Sequence, residues 1–236
     1  MHRPYNSGLL EHIPPLENGD RLTRDEFERR YQAMPAGLKA ELLEGVVYMP
    51  SPQRFRSHGK PSRYLSGWLY SYEVATPGVE GADNATIRLD LDSEPQPDAL
   101  LLISPDHGGQ SQVDEDDYIV GAPELSAEAA ASSVSYDLHV KLPVFRRNGV
   151  KEYLVWRVLD AQVDWFSLQH SDYVRLEPDE QGILRSLVFP GLWLDVPALV
   201  RFDGRQVLEV LRQGLATPEH AEFVSRLAEA AKTTEA

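Results

Sequence analysis

GAPELSAEAAASSVSYDLHVKLPVFRRNGVKEYLVW, residues 121–156, sets out three elements in succession. Glu124 to Ala131 is a run of small and apolar residues that reads as a strand, with Glu128 in its middle. Ser135 to about Arg147 reads as a helix, closed by Asn148-Gly149 in the manner of helix C-caps. Glu152 to Val158 then alternates as a strand and pairs naturally with Gln162 to Leu168. Glu128 is the anomaly in this stretch. A carboxylate inside such a strand is costly to bury unless it is paired or bound to metal.

Working towards the N-terminus, Asp98 to Ile103 and Ala85 to Leu91 read as further strands. A loop carrying His107-Gly108-Gly109 and the acidic run Asp114 to Asp117 joins the first of them to the Glu128 strand, and four consecutive acids predict a solvated loop. Thr23 followed by Glu26 has the capping-box spacing that starts a helix, here expected through about Met34. Glu41 to Met49 divides at Glu44-Gly45 into two short strands of a hairpin. After Ser51-Pro52, Tyr64, Leu65, Trp68, Leu69 and Tyr72 recur at helical spacing on one face, a pattern expected for core. Towards the C-terminus, Tyr173 to Leu176 and Ile183 to Phe189 suggest edge strands, and a helix is expected near Arg205 to Gly214. These elements divide the chain into an extended arm over 1–22, a main domain over 23–200, and a C-terminal helical extension and tail over 201–236. No internal repeat is present.

Composition narrows the function. The 236 residues, 42% hydrophobic and 25% charged, are those of a soluble globular protein with room for one full core. The absence of cysteine excludes disulfides, thiolate metal sites and thiol nucleophiles. No basic start followed by an apolar run opens the sequence and no segment is apolar enough to span a bilayer, so a cytoplasmic location is expected. The formal charge of −14 repels polyanions at long range. Contact with nucleic acid must then rest on local basic patches. Arg54, Arg56, Lys60 and Arg63 form one in a segment free of acids, and Lys141, Arg146, Arg147 and Lys151 form another; each reads first as a solvated face.

Asp98 and Glu128 are the candidates for chemistry. Two carboxylates on neighbouring strands supply oxygen ligands to a hard divalent cation. Asp98 follows Pro97 where a strand begins. Asp137 and Lys141, four apart on the following helix, read from spacing alone as a surface ion pair.

The segments LLEGVVYMPSPQRFRSH (42–58), PQPDALLLI (95–103), residues 121–156 and GILRSLVFPGLWLDVPAL (182–199) together resemble the Uma-two family of restriction endonucleases, a branch of the PD-(D/E)XK nuclease superfamily. The resemblance spans about Leu22 to Leu199. It implies an α/β fold, a restriction-endonuclease-like core with a central mixed β-sheet flanked by helices. It also implies a Mg2+ or Mn2+ site and hydrolysis of phosphodiester bonds in nucleic acid, most readily DNA, by a homodimer. Asp98 and Glu128 match the metal-binding acids. The slot for the catalytic lysine, two residues after the glutamate, holds Ala130, and Lys141 matches the lysine that the family carries on the helix. Glu41 matches a frequent family acid, able to add a ligand or bind a metal-bound water. His58 matches a frequent histidine and, with Arg54, Arg56 and Lys60, would contact the phosphate backbone. Three positions depart from the family pattern: Ala127 and Ala129 flank Glu128 where larger side chains are common, predicting a loosely packed strand, and Phe145 replaces a tyrosine.

The alternative is a catalytically silent module that keeps the nuclease fold for interaction or scaffolding, a reading that suits the acidic net charge. A small-molecule enzyme has no support, since P-loop, dinucleotide-binding GxGxxG and GxSxG motifs are all missing.

Overall fold

The computed structural model describes residues 13–35, 37–50 and 52–234. Residues 1–12 of the expected arm and Ser51 of the Ser51-Pro52 break lie outside the described residues. The remainder of the arm lies on the hairpin: the Gly19 and Leu22 amides each donate over 2.8 Å, to the carbonyls of Val47 and Gly45, and Leu16 is buried.

Helix α1 (Arg24–Gln32) starts where the capping residue lies, Thr23 Oγ1 accepting from the Glu26 amide. Strands β1 (Glu41–Leu43) and β2 (Val46–Tyr48) form the hairpin. Glu44 and Gly45 both take positive φ, as a tight two-residue turn demands. Next comes a single π-turn, Phe55–Gly59, which runs directly into α2 (Lys60–Ala75). The α2 aromatic face is core, as its spacing predicts. Its polar tips hold the C-terminal part of the chain: Tyr64 Oη donates to the Phe202 carbonyl, Trp68 Nε1 to that of Trp193 and Tyr72 Oη to that of Pro190.

Three strands follow: β3 (Val79–Ala82), β4 (Ile87–Arg88) and β5 (Ala99–Ile103). The strand expected over Ala85 to Leu91 is therefore corrected. Only Ile87–Arg88 is extended and paired, in a small sheet with β6 (Gln112–Val113) and β7 (Ile119–Val120). The strand that joins the main sheet is β3, whose sequence VEGA carries no alternation because it is an edge with one buried residue, Val79. The acidic run is a turn tied to β4, since Arg88 is gripped by Asp114 and Asp116.

Strand β8 (Leu125–Ala130) lies at the centre of the main sheet. The expected helix from Ser135 to Arg147 is present in three parts: α3 (Val134–Tyr136), a π-turn over Asp137–Lys141, and α4 (Leu142–Asn148), capped by Gly149 at φ 85°. Strands β9 (Glu152–Arg157), β10 (Gln162–Gln169) and β11 (Asp172–Arg175) complete a six-stranded sheet of order β11-β10-β9-β8-β5-β3. Within this sheet only β8 and β9 pair in parallel, which the α3–α4 crossover between them requires. The mixed sheet flanked by helices is the architecture the resemblance implies. Strand β12 (Ile183–Arg185) ends short of the expected Phe189 and pairs with β13 (Trp193–Asp195); α5 (Val196–Val200), α6 (Gly204–Leu215) and α7 (Pro218–Thr234) follow.

Strand alternation sorts the core. Ala99, Leu101, Ala127, Ala129, Leu154 and Trp156 face α2 and share its cluster with Val207, Leu211, Phe223 and Leu227 of the C-terminal helices. Ala130, Tyr153 and Val155 face the other way, onto Phe145 of α4. The loose packing expected at Ala127 and Ala129 is not found. Both are fully buried, because α2 supplies the bulk in Leu65, Trp68 and Tyr72 and the strand must be small to receive it. Phe145 fills its place with its ring alone, 4.8 Å from that of Tyr153.

Candidate active site

The register of β5 on β8 pairs Ala99 with Ala127, so the next step along the two strands sets Asp98 opposite Glu128. The two carboxylates share the sheet face that looks towards α3 and α4. Each takes a hydrogen bond from the other's strand. The Ala129 amide donates to Asp98 Oδ2 at 2.8 Å, and the Asp98 amide to Glu128 Oε2 at 3.3 Å.

Two cations close on this pair. Lys141 is 3% exposed and its Nζ lies 2.7 Å from Glu128 Oε1 and 2.8 Å from Glu41 Oε1. The surface ion pair expected of Asp137 and Lys141 is thus corrected: both are buried, and Lys141 spans from helix to sheet and hairpin. Glu41 accepts also from the Gln96 amide at 2.6 Å and from Tyr136 Oη at 3.0 Å, so it ties the turn before Asp98 to Lys141. Its Oε1 is shared by the lysine and the Gln96 amide, and its Oε2 takes the tyrosine hydroxyl.

The second cation is His58, whose Nε2 lies 3.2 Å from Asp98 Oδ1 and whose Nδ1 lies 3.1 Å from the Ala129 carbonyl oxygen. Both neighbours are acceptors, so satisfying both requires an N–H on each ring nitrogen, the imidazolium form. The hydrogen bond to Asp98 raises the His58 pKa against the effect of burial. Its side chain is 21% exposed, against 9% for Asp98 and 7% for Glu128, so His58 forms the solvent-facing cover of the carboxylates.

Charge in the cluster does not balance. Asp98, Glu128, Glu41 and Asp137 are four carboxylates set against two cations, His58 and Lys141. Burial pushes Glu128 well above the usual carboxylate range; Lys141 opposes this, while Asp98, Asp137 and Glu41 add to it. Burial likewise carries Asp137 up to about 6. Lys141 is pushed down by burial but held well above its ordinary value by Glu128, Glu41 and Asp137. Asp98 is pushed up by burial and brought below its ordinary value by His58 and the Ala129 amide.

As to metals, no three His, Cys, Asp or Glu side chains among the described residues converge as a ready ligand cage. The hard oxygens present are those of Asp98 and Glu128, on neighbouring strands, and the Ala129 carbonyl; Asp98 Oδ1 and that carbonyl contact opposite nitrogens of the His58 ring. That donor set suits an ion of the magnesium type, which takes one or two carboxylates and keeps its water, and it does not suit a four-ligand zinc site.

The basic residues separate. Arg54 and Arg56 are exposed beside the π-turn of His58. Lys60 turns away, its Nζ 4.1 Å from the centre of the Phe202 ring. The second patch dissolves, since Lys141 is buried and Arg146, Arg147 and Lys151 pair with Asp172, with Glu44 and Asp90, and with Glu124. Asp137 belongs to the cluster with its helix neighbour Lys141, and Tyr136 and Gln96 join it without standing out in the sequence. Their signal is faint: Tyr136 is one polar residue on the helix after Glu128.

Residues 24–197 match a family model, Uma2, described as "Putative restriction endonuclease". No curated protein matches the chain. Among solved structures, a putative nuclease belonging to DUF820 from Anabaena variabilis ATCC 29413 is similar, with a TM-score of 0.55 and 16% identity, covering 77% of this chain and 98% of that one. At that identity the likeness is one of fold.

Proposed function

The chain belongs to the Uma2 family, and from that premise and the buried charge cluster we propose that it is a metal-dependent endonuclease that hydrolyses phosphodiester bonds in nucleic acid, DNA in the first instance. The observation that carries this reading is Asp98 facing Glu128 across two strands, with the ammonium of Lys141 2.7 Å from the glutamate. Asp98, Glu128 and the Ala129 carbonyl would hold Mg2+ or Mn2+. Such an ion supplies Lewis-acid polarisation of the phosphate and lowers the pKa of a water. Lys141, fixed by Glu41, sets a positive charge where negative charge develops on the phosphoryl oxygens. His58, at the mouth, meets the incoming phosphate. Water attacks phosphorus, the bond from phosphorus to the leaving oxygen breaks, and that oxygen takes up a proton.

Among the described residues no helix is long and apolar enough to cross a membrane. A cytoplasmic location and a homodimer are parts of the same proposal.

The test is cleavage of single- and double-stranded DNA and RNA by purified protein with Mg2+ or Mn2+, set beside D98N, E128Q and K141M. Metal-dependent cutting lost in all three variants is expected. Cutting that survives in D98N and E128Q would place the activity elsewhere, and no cutting of any substrate by the wild type would favour the silent scaffold.

A further inference from the structure

Phe55 is 76% exposed, the most exposed of the large hydrophobic side chains among the described residues. It opens the π-turn Phe55–Gly59 that delivers His58 to Asp98. The turn is well held. The amides of His58 and Gly59 both donate to the Arg54 carbonyl, at 3.0 and 3.1 Å, the Lys60 amide donates to that of Phe55, and the His58 ring is bonded to Ala129. Phe55 is therefore displayed on a fixed backbone at the rim of the carboxylate site.

Its flanks are basic and open. Arg54 and Arg56 are exposed on either side of the ring and, like Arg21, Arg63, Arg201, Arg205 and Arg226, form no ion pair with any described residue, while Arg146, Arg147, Arg157, Arg175, Arg185 and Arg212 are each taken by a carboxylate. No acidic residue occurs from Gly45 to Tyr72, in a chain whose formal charge is −14. An exposed aromatic face between two unengaged guanidinium groups suits a strand whose bases are accessible, the ring stacking on a base and the arginines meeting the phosphates on either side. Paired bases keep their faces inside the duplex and offer such a ring nothing to stack on.

We propose that Phe55 is a base-stacking residue, and that the substrate class of this site is nucleic acid with an unpaired base next to the scissile phosphate: a single strand, a flap or a bulge. The inference rests on the nuclease reading above and narrows it.

Binding of a fluorescein-labelled single-stranded oligonucleotide and of its duplex, followed by anisotropy with the full chain in EDTA and in calcium, tests it. F55A is expected to weaken single-strand binding about 5- to 100-fold, F55W to preserve it, and duplex binding to change by less than about twofold. The salt dependence of log K should be unchanged in F55A and shallower by roughly 0.7 for each of R54A and R56A. Equal single-strand affinity of F55A and wild type would overturn the proposal. So would full single-strand affinity in F55L, since a leucine offers no ring to stack. Cleavage by a wild type that binds no single strand would sink the stacking role and leave the nuclease reading intact, whereas neither binding nor cleavage would remove both.

Discussion

Lys141 Nζ lies 2.7 Å from Glu128 Oε1, in a cluster where both side chains are nearly dry. Each partner is buried at a cost that the other offsets, together with Glu41 on the far side of the ammonium. Removing one partner of such a pair is far more damaging than removing both.

K141M is accordingly expected to lower unfolding stability by about 3–5 kcal/mol, and K141M/E128Q to recover part of that loss. Urea denaturation of the wild type, the two single variants and the double variant measures the coupling. Additive losses would show that the pair is not a unit.

A cation held by Asp98 and Glu128 can be detected without any substrate. Adding Mg2+ or Mn2+ at low ionic strength should raise the melting temperature of the wild type and leave D98N and E128Q unmoved, since a ligand that binds only the folded state stabilises it by mass action. An equal rise in all three proteins would assign the ion to another place.

Glu152 is buried beneath the turn after β12, where Oε1 accepts from the Leu187 and Val188 amides and Oε2 from Ser186 Oγ. Burial pushes its carboxyl up to about 7, against those hydrogen bonds. With the folded pKa above the unfolded one, the folded state binds more protons, so this contribution is complete below pH about 4.5 and is lost as pH rises to about 7. E152Q keeps an acceptor for the amides and does not titrate. The stability of the wild type relative to E152Q should fall across that window by up to about 3 kcal/mol, measured by denaturation at successive pH values.

Ala127 is small because α2 is large, so A127L should force the helix off the sheet and cost about 1–3 kcal/mol. A melting temperature unchanged in A127L would mean that the strand has slack after all.

The hairpin, the aromatic helix, β5, β8 and the β9–β10 pair were legible because each has a periodicity or a turn of its own. Strand β3 was not, because VEGA is a strand only through its pairing with β5. The juxtaposition of Asp98 and Glu128 could be anticipated from two acids placed on strands and from the family motif. The reach of Lys141 to Glu41 could not, since it joins residues 100 positions apart across a helix, a sheet and a hairpin. At the second basic patch Arg146 and Arg147 are the solvated face that was expected, and Lys141 alone is buried; linear clustering said nothing of the acids that long-range folding brings to Arg146, Arg147 and Lys151.

Both cations of the cluster, His58 and Lys141, ride on π-turns, each of which holds one residue more than a turn of α-helix would. A π-turn is in effect an insertion absorbed within a helix, and its removal shifts phase without breaking the rod. Deleting one residue from 137–141 would let α4 continue as an ordinary helix while swinging the ammonium about 100° around the axis, away from the sheet. Site and scaffold are therefore separable by a single codon. Chain length within 137–141 thus sets the direction in which the ammonium points.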